Sequence, residues 1–207
     1  MKKIFSILAM AAIVAVSCEK PGNEGTNNGD NGDNGGTTPP AAAEYRMLYD
    51  FENEIVTWTP GSGAVFEVAD NPYKTGVNTS AKVGKITHKG GNFEWFWSTP
   101  FGEEVEGGEV QYANFSEEGY IVKVDVYCSI PNCPIYLKFE GDGVDPVEIK
   151  NVTTTKVNEW ETLEYDYETY ALEDGKYKKF VLCVAQGPEV LTDGKVMYFD
   201  NVRLCKE

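Results

Sequence analysis

The sequence predicts an all-β fold, a two-sheet β-sandwich of jelly-roll type. Three observations lead there. After residue 44 the chain breaks into short runs in which apolar and polar residues alternate, the two-residue period of a half-buried strand. Clusters that favour tight turns stand between the runs: Pro60-Gly61-Ser62-Gly63, Gly90-Gly91-Asn92, Gly107-Gly108, Gly141-Asp142-Gly143, Asp174-Gly175 and Asp193-Gly194. No window carries the 3.6-residue period of an amphipathic helix.

Ten strands are expected, in the order Arg46–Glu52, Ala64–Val68, Ala81–Thr87, Phe93–Trp97, Tyr120–Cys128, Ile135–Glu140, Val147–Asn151, Glu159–Tyr167, Lys179–Ala185 and Lys195–Leu204. Short helical turns are expected near Asn71–Lys74 and Asn78–Lys82. The alternation also assigns faces. Val122, Val124 and Val126 share one side of their strand, with polar neighbours opposite. In Trp160–Tyr167, Leu163, Tyr165 and Tyr167 form the core side, and Trp160 belongs to the fold. Ten strands in one segment without internal repeats suit a single sandwich domain.

The expected organisation has three parts: a leader at 1–17, an anchor and linker at 18–43, and the domain at 44–207. Met1-Lys2-Lys3 is a positive start, and Ile4 to Val16 is apolar except for Ser6, long enough for a signal-peptide core and too short to span a bilayer. Ala15-Val16-Ser17-Cys18 resembles the lipobox of bacterial lipoproteins, which implies that Cys18 is acylated and becomes the new amino terminus. Acyl chains hold by hydrophobic transfer, about 0.8 kcal/mol per buried CH₂. Residues 19–43 contain no Val, Ile, Leu, Met, Phe, Tyr or Trp and are dominated by Gly and Asn, so they form a flexible tether. Its reach is on the order of 25–30 Å. This style resembles Bacteroidetes outer-membrane lipoproteins, which implies an outer-membrane location, lipid-anchored and facing the exterior.

Lys2 and Lys3 leave with the leader, so the remaining 190 residues carry 16 basic and 33 acidic side chains, a net charge of −17. That charge argues against nucleic acid, an anionic membrane surface and acidic polysaccharides as partners. The single histidine, His88, removes any multi-His metal site. The carboxylates read as a solvated surface, and no stretch resembles a glycosidase motif, so no catalytic residue is assigned.

Setting Cys18 aside, Cys128, Cys133, Cys183 and Cys205 allow two disulfides with three connectivities, or four buried thiols. Cys128 and Cys133 flank a short turn, and Cys133 opens a strand that could lie beside the one carrying Cys183. Their spacing does not resemble a zinc site.

The aromatic run Phe93-Glu94-Trp95-Phe96-Trp97 is the strongest ligand signal. A strand puts Phe93, Trp95 and Trp97 on one face and Phe96 on the other, and both faces cannot belong to one core. Sugar rings stack their apolar faces on Trp and Tyr while their hydroxyls need polar partners. Phe93, Trp95 and Trp97 are therefore ligand candidates, with Trp58 and Tyr73 as secondary ones.

Five motifs in order carry a wider likeness: Leu48-Tyr49-Asp50-Phe51-Glu52, the Asn71-Pro72 to Lys85 segment, Pro134 to Glu140, Asn158 to Leu163, and Tyr198-Phe199-Asp200-Asn201-Val202-Arg203-Leu204. This set resembles galactose-binding-like jelly-roll modules of the carbohydrate-binding kind, found in Bacteroidetes glycan-utilisation proteins and often attached to glycoside hydrolases. The resemblance implies that Glu52 and Asp200, on neighbouring terminal strands, hold a structural Ca²⁺ with backbone carbonyls of the Asn78–Lys82 segment. The resulting expectation is a lipid-anchored surface protein that captures a neutral polysaccharide without cleaving it, beside a glycan-uptake complex and a separate glycoside hydrolase. The alternatives are a structural or adhesive lipoprotein without a sugar site, and a hydrolase with an unfamiliar site.

Overall fold

The computed structural model describes residues 45–52, 58–61, 63–90, 94–98, 112–184 and 194–206. They form β1 (Tyr45–Tyr49), β2 (Thr59–Pro60), β3 (Val65–Asp70), β4 (Lys82–Thr87), β5 (Glu94–Ser98), a one-turn helix α1 (Phe115–Glu118), β6 (Ile121–Tyr127), β7 (Ile135–Gly141), β8 (Val147–Ile149), β9 (Trp160–Asp166), β10 (Tyr177–Val184) and β11 (Val196–Cys205). Every described strand pair is antiparallel. One sheet runs β3-β4-β11-β6-β9, with β1 pairing the far half of β11, and the second runs β2-β5-β10-β7-β8. This is the two-sheet jelly-roll sandwich expected from the alternation.

The core lies between the sheets. Val122, Val124 and Val126 of β6 and Leu163 and Tyr165 of β9 face it from one side, and Phe96, Leu137, Phe139, Phe180 and Leu182 from the other. Two tyrosines bolt the layers together. Tyr165 and Tyr167, on and just after β9, donate across the core to the carbonyls of Ile135 and Leu137 on β7, at 2.9 and 2.8 Å. Each phenol satisfies its buried hydroxyl on the opposite sheet, which fixes the sheets' relative position.

Two local expectations need correction. No helical turn forms at 71–74 or 78–82. Asn71 Oδ1 accepts the Tyr73 amide and Asn78 Oδ1 accepts the Ser80 amide, so side-chain turns take the backbone groups a helix would need. The one helix among the described residues is instead at Phe115–Glu118, where buried Phe115 anchors it. In addition, Thr59-Pro60, outside the ten expected strands, forms a short edge strand, where proline's missing N–H leaves no ladder bond unmade.

Candidate functional site

The outer face of the five-stranded sheet is set by register. Trp97 stands opposite Val181, which stands opposite Lys138, which stands opposite Glu148. In the next row Trp95 faces Cys183, which faces Tyr136. Phe96, Phe180, Leu182, Leu137 and Phe139 belong to the core, so alternation sends all these neighbours outward. Trp95, Trp97, Tyr136 and Lys138 are half-buried, whereas Val181 and Cys183 between them are buried. The result is an apolar floor with two indoles on one side and a phenol on the other. Burial pushes the Cys183 thiol up to about 11, so the floor is uncharged.

Two contacts orient the indoles. A Cβ placed on Gly61 would fall 2.1 Å from the Trp95 ring, so this indole lies directly over the Gly61 backbone, whose amide donates to the Trp95 carbonyl at 2.6 Å. Lys179 sets its ammonium 4.5 Å above the ring of Trp97. The same ammonium reaches Glu140 at 2.7 Å, and Lys138 reaches the other oxygen of that carboxylate at 2.5 Å. Burial alone would raise the Glu140 carboxyl, but hydrogen bonds from the two lysines outweigh it and hold the group below the usual carboxylate range. Lys150 and Glu148 pair at 2.8 Å at the edge. Aromatic planes thus sit beside a fixed array of ammonium and carboxylate groups, the pairing that a ring with many hydroxyls needs.

The sequence candidates separate. Trp95 and Trp97 share this face, while Phe93 lies outside the described residues, as does Cys18. Trp58 is corrected to a core residue: it is 2% exposed and packs edge-on against Phe180 and Phe199, so it presents no face to a ligand. Tyr73 lies in the loop between β3 and β4 and packs on the other sheet. It stacks on Tyr127 with ring centroids 4.2 Å apart, and its carbonyl accepts the Trp160 indole N–H at 2.7 Å. Tyr136, Lys138, Glu140, Lys179, Val181 and Cys183 were missed as site residues. Alternation in Tyr136-Leu137-Lys138-Phe139-Glu140 gave the signal for three of them, but the placement of β10 between β5 and β7 is a long-range pairing that periodicity does not encode.

Glu52 and Asp200 were expected to hold Ca²⁺. Asp200 is fully buried, Asn78 Nδ2 donates to its Oδ2 at 2.7 Å, and Oδ1 has no hydrogen-bond partner among the described residues. Burial pushes its carboxyl up to about 6, against the lowering effect of Asn78 and Ser80. A buried carboxylate with an unsatisfied oxygen fits a cation. The carbonyls fit less well, because Ser80 O and Ala81 O accept from Asn71, and Glu52 Oε1 accepts the Ala81 and Lys82 amides. Phe51 and Asn201, at φ of 56° and 47°, turn the chain beside the two carboxylates. Among the described residues no three His, Cys, Asp or Glu side chains converge. The four cysteines of the domain are buried thiols in this structure.

No protein-family model matches the chain, and no curated protein does. Solved structures do resemble it. A family 11 carbohydrate-binding module from Clostridium thermocellum, solved with a beta-1,3-1,4-mixed-linked tetrasaccharide, aligns with a TM-score of 0.50 and 14% identity over 80% of this chain and 98% of its own. The N-terminal tandem CBM22 domain from Paenibacillus barcinonensis aligns with a TM-score of 0.50 and 18% identity over 81% of this chain and 51% of its own. At these identities the likeness establishes the fold: this chain has the jelly-roll sandwich of carbohydrate-binding modules.

Proposed function

We propose that the domain binds a carbohydrate, without cleaving it, on the outer face of the five-stranded sheet. The observation that carries the reading is the row of Trp95, Trp97 and Tyr136 around a buried floor, edged by the Lys138–Glu140–Lys179 network. The tetrasaccharide-bound module of similar fold supports it. Glu140 is held ionised, so it does not serve as a general acid on this face. The ligand is a neutral polysaccharide. The net charge of −15 repels polyanions, and the lysines of the platform are paired with Glu140 and Glu148.

The module works from the outer-membrane surface, anchored through acylated Cys18 on its tether, and hands glycan to an uptake complex and a separate glycoside hydrolase. Ca²⁺, where bound, would be held by Asp200 and Glu52 and would supply charge neutralisation for the buried carboxylate. Cys18→Ala should abolish fatty-acid labelling.

A glycan array probed with residues 44–207 tests the central reading. Trp95→Ala and Trp97→Ala should weaken binding by about 1–3 kcal/mol, the scale of a central aromatic contact. Phe96→Ala, on the inner face of the same strand, should instead cost about 3–5 kcal/mol of stability. No binding to any neutral glycan would overturn the proposal.

A further inference from the structure

The four domain cysteines divide by sheet face. Leu182 and Val184 point into the core, so Cys183 between them points outward, beside Trp95 and Tyr136. Leu204 points into the core, so Cys205 lies on the outer side of the six-stranded sheet, opposite Tyr45 and Ile121. Two packed sheets, about 10 Å apart, separate Cys183 from Cys205. Neither can reach a partner in the interior without turning its strand over.

Cys128 and Cys133 are both interior, at 1% and 0% exposed. Cys128 directly follows β6 in one sheet and Cys133 precedes β7 in the other, so the turn between them is a crossover from sheet to sheet. Buried Thr154 fixes that turn. Its hydroxyl accepts the Cys133 amide at 2.9 Å and donates to the Ile130 carbonyl at 3.0 Å. Its own amide donates to the Cys133 carbonyl at 3.0 Å, and its carbonyl accepts the Asn132 amide at 2.7 Å. Asn132, at φ 55°, turns the chain back. At the other end the Cys128 carbonyl accepts the Asn158 amide at 2.8 Å.

We propose that Cys128 and Cys133 are joined by a disulfide that staples the two sheets at this crossover, while Cys183 and Cys205 remain thiols. Of the three connectivities that include two bonds, none survives the face argument, and a single bond between the interior pair does. A hydrogen bond between the Cys128 and Cys133 thiols brings the two side chains together in the folded domain. The oxidant is a small-molecule disulfide such as oxidised glutathione. The Cys128 thiolate attacks one of its sulfurs and expels one glutathione thiolate. The Cys133 thiolate then attacks the Cys128 sulfur of the mixed disulfide and expels the second. Two protons leave the protein, and two electrons pass to the two glutathiones. Both cysteines are covered in the folded state, so exchange belongs to folding, before the turn is packed.

The test is peptide mapping of the full chain after refolding in a glutathione redox buffer, acid quench, and alkylation under denaturing conditions without reductant. Trypsin places Cys128 and Cys133 together in peptide 124–138, and Cys183 and Cys205 in two others. The expected result is a 124–138 peptide without alkyl groups and lighter by two hydrogen atoms than its reduced form, with Cys183 and Cys205 each alkylated. The Cys183→Ser/Cys205→Ser double variant should give the same 124–138 mass. Alkylation of both Cys128 and Cys133, or a 124–138 peptide linked to another, overturns the proposal.

Discussion

Lys179 holds its ammonium 4.5 Å above the ring of Trp97 and, with the same nitrogen, 2.7 Å from Glu140. One side chain therefore joins the aromatic and the charged halves of the platform. The cation on an indole face is worth about 0.5–1 kcal/mol at such a site, too little to close it against a ligand. In the proposed complex the ammonium turns to a sugar hydroxyl while its stem continues to cover the floor. Lys179→Met keeps the stem and removes the charge. Glycan affinity should fall about tenfold, roughly 1.4 kcal/mol, with little change in melting temperature, because part-exposed ion pairs contribute about 0–1 kcal/mol. Isothermal titration beside a thermal melt separates the two. Unchanged affinity would remove Lys179 from the site.

Gly61 supplies a second lever on the same face, because it touches no proposed ligand. The Trp95 indole occupies the space a side chain at 61 would need, with the nearest ring atom 2.1 Å from the Cβ position. Gly61→Ala should force the ring away from β2 and weaken glycan binding about as much as a partial loss of Trp95. The core beneath should be unaffected, since Phe96 points the other way. Full affinity in this variant would mean that the orientation of Trp95 does not matter.

The strands were legible because alternation and turn residues are local signals. The faces of β6 and β9 followed from the same period, and both contribute buried side chains where expected, at Val122, Val124, Val126, Leu163 and Tyr165. The split between Phe96 inside and Trp95 and Trp97 outside was legible for that reason as well. Trp58 was not. A tryptophan flanked by threonines reads as exposed, but its ring packs into the core against Phe180 and Phe199. Tyr73 lies apart from Trp95 and Trp97 because its loop, tied down through Asn71 and Asn78, packs on the other sheet. Whether residues share a face can be read within one strand, but whether they share a sheet depends on pairings more than 80 residues apart, such as Trp95 with Cys183.

Asp200 carries the prediction for calcium. Its buried Oδ1 lacks a hydrogen-bond partner among the described residues, a cost that a bound cation would relieve. A ligand that binds only the folded state stabilises it by mass action, by about 2.7 kcal/mol at a hundredfold excess over the dissociation constant. Adding Ca²⁺ to chelator-treated protein should therefore raise the melting temperature. Asp200→Asn should abolish the response, and in chelator it should cost little, because it removes a desolvated charge. A calcium response that survives in Asp200→Asn would place the ion elsewhere.

His88 governs the expected pH dependence. Its Nδ1 lies 2.5 Å from Glu94 Oε2, and both side chains are nearly inaccessible, at 2% and 1%. Burial lowers the histidine's pKa below its usual value of 6.5, against the raising effect of the Glu94 charge. The neutral imidazole is then the folded form, and the unfolded chain takes up the proton first. Stability rises with pH wherever the unfolded state binds more protons, and so falls as the pH is lowered. The contribution is complete above about 6.5 and is lost as pH drops from there toward the lower folded value. Asp200, raised rather than lowered, pulls in the opposite direction in the more acidic part of this range, so the wild-type curve alone does not isolate His88. The difference between wild type and His88→Gln does. Between pH 8 and 5.5 the wild type should lose more melting temperature than the variant. The loss should reach the binding face, because Glu94 is the first residue of β5 and also accepts the Lys89 amide at 2.7 Å, which holds the start of the strand that presents Trp95 and Trp97. Parallel curves for the two proteins would show that His88 does not titrate on folding.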